Sequence, residues 1–126
     1  MARILIAEDE EALRALTARA LTDAGHEVVT AIDGAAALDI LTREQGRFDL
    51  LLTDIRMPLM DGIALALSVA RDHPKIIILL MTAYADQRER AANLDALIHD
   101  VVLKPFTLAE IKAAVADALV APKKKS

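Results

Sequence analysis

Apolar residues gather in this chain into five short runs, separated by longer stretches in which apolar positions recur at helical spacing. The runs are RILIA (residues 3–7), EVVTAI (27–32), FDLLLT (48–53), IIILLM (76–81) and DVVL (100–103). Several are unbroken aliphatic blocks, the pattern of strands buried on both faces rather than half-exposed ones. Between them, Leu13, Leu16, Ala20 and Leu21 form one helical stripe, and Ile111, Val115, Ala118 and Leu119 another. Gly25 and Gly46 stop the first two helices. Asp61 suits the cap of the third, and Thr107 that of the last, where Glu110 completes a capping box. Asp33, before Gly34, reads as a turn residue. Strict strand–helix alternation predicts an α/β fold, a parallel sheet with helices on both faces.

Composition narrows this picture. At 126 residues the chain is one domain's worth, and its longest aliphatic run, 76–81, is far short of a membrane span. The first apolar segment begins at Ile4, so no signal peptide is expected before it. Cysteine is absent, so a cytoplasmic location is expected. The net charge is −4, and without the three lysines Lys123, Lys124 and Lys125 the body stands at −7. An acidic body with 2% aromatic residues predicts neither a nucleic-acid groove nor base-stacking platforms. The expected division is a domain over 1–120 and a disordered basic tail over 121–126, with no output domain and no membrane contact.

In a parallel sheet all strand C-termini share one edge, and ligands bind there at the switch point in strand order. The first strand leaves Glu8, Asp9 and Glu10 at that edge, the third Asp54, the fourth Thr82 and the fifth Lys104, followed by Pro105. Two carboxylates about 4 Å apart repel by about 4 kcal/mol at an effective dielectric of 20. A divalent cation removes that repulsion, and oxygen ligands favour Mg²⁺. With Lys104 adding positive charge, the set is built to receive a phosphoryl group, Asp54 serving as nucleophile and Thr82 donating its hydroxyl to a phosphoryl oxygen. Taken singly, each residue has a plainer reading: Asp9 as a helix cap, Lys104 as a solvated strand end, Thr82 as a local cap. Their convergence favours the chemical one. MDG (60–62) is read structurally, Asp61 as a cap and Gly62 as a turn. Met57 and Met60 are read as loop anchors.

The segments ILIAEDEE, LLLTDIRMPLMDG, MTA and LKPF resemble, in order and spacing, the receiver domains of two-component response regulators. The resemblance runs from end to end. It implies a flavodoxin-like, doubly wound (βα)5 fold with five parallel strands in the order 2-1-3-4-5. It further implies phosphorylation of Asp54, with Mg²⁺ held by Asp9, Asp54 and the Arg56 carbonyl and by Glu8 through water. A cis peptide before Pro105 is implied as well. Receivers usually place Tyr or Phe three residues before the lysine, where this chain has Val101, so signalling is expected to run through Thr82 and its loop. Arg56 and Tyr84 stand where family members modulate phosphoryl lifetime.

The likeness is greatest to single-domain CpdR-type regulators. It implies a histidine kinase or histidine phosphotransferase as phosphodonor, a protein output with the ClpXP protease as partner, and a monomer or weak dimer. A phosphate shuttle or sink is the alternative. A small aspartate-nucleophile phosphatase is disfavoured, because Arg56 stands where its general acid is needed, and a nucleotide-binding module lacks its Gly-rich loop. His26, His73 and His99 all fall at turns or element ends, so no phosphohistidine donor is expected, and no enzyme activity beyond self-catalysed phosphoryl transfer and loss.

Overall fold

The computed structural model describes residues 2–94 and 96–120, so the expected tail at 121–126 lies outside the described residues. Five strands alternate with five helices: β1 (Arg3–Ala7), α1 (Glu11–Asp23), β2 (Glu27–Ala31), α2 (Gly34–Arg43), β3 (Leu50–Asp54), α3 (Gly62–Asp72), β4 (Ile77–Thr82), α4 (Ala85–Ala92), β5 (Asp100–Leu103) and α5 (Leu108–Val120). All pairings are parallel and the order is β2-β1-β3-β4-β5. This is the flavodoxin-like order expected of the chain.

Both sheet faces are covered, which is why the strands read as unbroken apolar runs. Alternate residues of each strand serve opposite faces. Leu5, Leu51, Ile78 and Leu80 pack with Ala37, Leu41, Leu65 and Val69 of α2 and α3. Ile4, Ile6, Leu50, Leu52, Leu79 and Met81 pack with Ala20 and Leu21 of α1 and with Ile111, Val115 and Ala118 of α5. All five residues of β3 are buried. Truncating one of its leucines to alanine is worth about 2–5 kcal/mol, since the rigid neighbours of a doubly covered strand cannot close the cavity.

Five strand ends, in β2, β3 and β4, differ from expectation by one or two residues. β2 stops at Ala31, because Glu8 N–H takes the Ala31 carbonyl and Ile32 turns out to solvent. β3 starts at Leu50, because the Asp49 side chain accepts the Arg3 N–H. β3 and β4 each run one residue further than expected, to Asp54 and Thr82, so both site residues are strand residues. In α1, Ala20 and Leu21 are buried as expected, but Leu16 is 53% exposed and Thr17 takes its buried position. The α5 stripe stands: Ile111, Val115 and Ala118 are buried, with Leu119 packed beside them.

The caps follow the sequence more closely. Asp61 accepts from Ala64 N–H at the start of α3, and Thr107 and Glu110 exchange both hydrogen bonds of a capping box. Asp33 is more than a turn residue: its side chain accepts from Ala36 N–H and caps α2. Gly25 has φ +99, a left-handed conformation that glycine adopts without strain and that ends α1.

Candidate functional site

The reversal in strand order falls between β1 and β3, and the register there pairs Ala7 with Thr53. One step further along the chain, Glu8 and Asp54 therefore stand side by side at the sheet edge. Asp54 pairs with Met81 on β4, and Thr82 with Leu103 on β5, with Lys104 N–H donating to the Thr82 carbonyl. Sheet register alone thus carries Glu8, Asp54, Thr82 and Lys104 to one edge. The Lys104–Pro105 peptide is cis.

The side chains converge as well. Carboxylate oxygens of Glu8, Asp9 and Asp54 all lie within 4.8 Å of one another. The Lys104 ammonium lies 3.0 Å from Glu8 Oε1 and 3.1 Å from Asp54 Oδ2. Glu8 is 1% exposed, and its other oxygen accepts the Glu10 N–H. Burial pushes the carboxyl groups of both Glu8 and Asp54 above their ordinary values, against the opposing pull of Lys104. Burial also works against the Lys104 ammonium, but its hydrogen bond to Glu8 and the charges of Asp54 and Glu8 outweigh that and hold it above its ordinary value. The result is a buried anionic pair with one cation, short of neutrality.

Asp9 is exposed, and the cap position of α1 belongs to Glu10, which makes no side-chain cap hydrogen bond. The reading of Asp9 as a helix cap is therefore not realised, and its carboxylate belongs to the acidic group. An open cleft of about 310 Å³ lies over the edge, lined by Asp9, Glu10, Asp54, Arg56, Ala83, Tyr84 and Lys104. The Arg56 guanidinium stacks on the Tyr84 ring, 5.0 Å from its centre. An all-oxygen donor set with excess negative charge is what Mg²⁺ takes, so these residues fit that ion.

Thr82 is fully buried. Its hydroxyl donates to Gln87 Oε1 at 2.7 Å and accepts from Tyr84 N–H at 3.1 Å. Gln87 was not foreseen, because nothing in a polar segment such as ADQRER marks which residue turns inward. Val101 is buried beside Leu80 and brings no ring to this region. Met57 anchors its loop as expected, with Thr53 Oγ1 4.0 Å from its sulfur. Gly62 was underestimated: a Cβ there would collide with the Asp54 carbonyl and the Ile55 backbone. His26 accepts from Ala2 N–H, His73 ends α3 and His99 pairs with Asp117, so each histidine has a local structural place.

A doubly wound sheet with an acidic pocket and a lysine at the β1/β3 switch point defines a class of aspartate-centred signalling domains. Residues 4–116 match the family described as response regulator receiver domain, and the chain belongs to that family. It is a receiver domain of two-component systems, a signalling domain rather than an enzyme by type. It is 34% identical over 113 residues to the transcriptional regulatory protein PrrA of Mycobacterium tuberculosis, covering 90% of this chain and 48% of that one. It is 37% identical over 111 residues to TcrA of the same organism, covering 88% and 43%. The chain thus spans about half the length of the curated relatives it matches. Among solved structures it resembles the response regulator TrrA of Thermotoga maritima in complex with Mg²⁺ and BeF, with TM-score 0.83, 32% identity, and 94% and 100% of the two chains covered.

These relatives correct the expected partners. PrrA and TcrA are named transcriptional regulatory proteins. That contradicts the expectation of a ClpXP-centred protein output without nucleic acid. The acidic surface and scarce aromatics describe the receiver, and they carry no information about what its relatives do with their remaining length. Among the described residues, no helix is long and apolar enough to cross a membrane.

Proposed function

We propose that Asp54 accepts a phosphoryl group in a site completed by Mg²⁺, and that Thr82 turns to the phosphoryl oxygens once it is attached, with Lys104 already beside them. One observation carries the reading: the Lys104 ammonium bridges Glu8 and Asp54 at 3.0 and 3.1 Å while Asp9 brings a third carboxylate to the same point. In the transfer, an Asp54 carboxylate oxygen forms a bond to phosphorus. The bond from phosphorus to the donor oxygen breaks, and the electron pair leaves with the donor, which is acetate when acetyl phosphate is used. No proton need move, since nucleophile and leaving group are both carboxylates. Asp9, Asp54 and the Arg56 carbonyl would hold Mg²⁺, with Glu8 acting through water, and the bound ion supplies charge neutralisation. Lys104 is already in place to take a phosphoryl oxygen. Arg56 and Tyr84, stacked at the mouth of the cleft, govern the access of water to the acyl phosphate and so its lifetime.

Val101 favours a second reading alongside the switch. With no ring to reorient behind Thr82, the domain is suited to passing phosphate on or draining it, as a shuttle or sink. Incubation with acetyl phosphate and Mg²⁺, followed by intact mass, tests the shared chemistry. A gain of one phosphoryl group in wild type and none in Asp54→Asn is expected; equal labelling of both would refute it. Rapid return to the unmodified mass after donor removal favours the sink.

A further inference from the structure

We propose that Gln87 is a positioning residue that holds the Thr82 hydroxyl away from Asp54, so that phosphorylation is communicated to α4 through the exchange of one hydrogen bond. The inference rests on the reading of Asp54 as phosphoacceptor and adds the element that answers it. A threonine hydroxyl has one proton to donate. In the structure Thr82 donates it to Gln87 Oε1 at 2.7 Å, and its oxygen accepts from Tyr84 N–H at 3.1 Å. Because Thr82 is fully buried, that proton has no water to turn to, and leaving it unpaired is costly. The hydroxyl therefore cannot serve a phosphoryl oxygen and Gln87 together.

Gln87 lies within the first turn of α4, and its N–H and that of Arg88 both reach the Tyr84 carbonyl. The same short segment thus carries the donor to Thr82, the acceptor from it and the start of the helix. When Thr82 turns to the phosphoryl group, the Gln87 amide loses its buried partner and the restraint on this turn is released. α4 is poorly placed to resist, being eight residues long and strongly polar. Val101, buried and ringless, leaves this hydrogen bond as a direct link between Thr82 and the helix.

The test is a double-mutant cycle read by beryllofluoride, a phosphoryl mimic, at saturating Mg²⁺, with the ¹⁹F resonance of the bound species giving Kd. Gln87→Leu removes the acceptor, destabilising the arrangement that competes with the mimic. It should tighten binding about fivefold, the equivalent of one hydrogen bond of about 1 kcal/mol. In a Thr82→Val background the same substitution should change Kd less than twofold. Gln87→Met, close to the native length but without the oxygen, should repeat the result if Leu disturbs the short helix. Unchanged affinity in Gln87→Leu and Gln87→Met, or equal tightening in both backgrounds, would overturn the inference while wild-type binding leaves Asp54 standing. Absence of bound beryllofluoride in wild type would overturn both together.

Discussion

Glu8 and Lys104 are 96 residues apart in the chain and 3.0 Å apart in space. That contact closes the domain, tying the end of β1 to the end of β5 across the Asp54 carboxylate. Without it, two buried carboxylates would face each other.

Lys104→Met should therefore cost stability as well as phosphoryl-dependent signalling. With metal chelated at neutral pH, the free energy of urea unfolding should fall by about 1–3 kcal/mol, the loss of charged hydrogen bonds to two acids. Mg²⁺ should narrow the gap by taking over the neutralising role. The sign with pH follows from a raised lysine value: the contribution is fully present below the ordinary 10.5 and is lost as pH rises through the higher folded value. Equal unfolding curves for wild type and variant in chelator would show the ammonium to be energetically idle.

Asp54→Asn should act in the opposite direction. The raised Asp54 carboxyl means that, between its ordinary and its folded value, the folded chain holds a proton which the unfolded chain releases. Stability from this source is present below the ordinary 3.8 and is lost as pH rises through the folded value. Wild type and variant should coincide near pH 3.5 and separate above it, with the variant more stable by about 1 kcal/mol at neutral pH in chelator. Millimolar Mg²⁺ should raise the urea midpoint of wild type and move the variant far less. A variant that is less stable at neutral pH would contradict the electrostatic account.

The caps allow a prediction remote from the chemistry. Thr107→Ala removes the acceptor of Glu110 N–H and breaks the capping box of α5, worth about 1 kcal/mol in thermal or urea unfolding. Phosphorylation of Asp54 should proceed at the wild-type rate. A slower rate would show that the start of α5 is coupled to the lysine turn just before it.

Much of this architecture was legible because β-strands buried on both faces write themselves as aliphatic runs, and register then dictates what stands at their ends. Glu8, Asp54, Thr82 and Lys104 could be placed together from sequence on that ground alone. Leu16 misled because an alanine-rich helix offers two nearly equivalent stripes, and the buried one runs through Thr17. Gln87 was invisible because side-chain hydrogen bonds over five residues leave no periodic trace. Partners were the least legible, since the relatives named as transcriptional regulators are about twice as long as the matched stretch.

Gly62 was read as a turn residue, yet its hydrogen takes the place of a Cβ that would strike the Asp54 carbonyl and the Ile55 backbone. Its N–H also donates to the Ile55 carbonyl at 2.7 Å, drawing the start of α3 against the end of β3. The loop between them has no room to yield, because the obstructing atoms are backbone and not the tip of a flexible side chain. Gly62→Ala should therefore cost about 1–3 kcal/mol, as overpacking does. Because the displaced atoms are the backbone of Asp54 and Ile55, it should also slow acetyl phosphate labelling by about tenfold or more. Gly25→Ala provides the contrast. A Cβ there meets nothing within 4 Å, so only the left-handed backbone at φ +99 is penalised. That substitution should cost about 1 kcal/mol and leave labelling untouched. Were both variants to label at the wild-type rate, the close approach at Gly62 would have no bearing on where Asp54 sits.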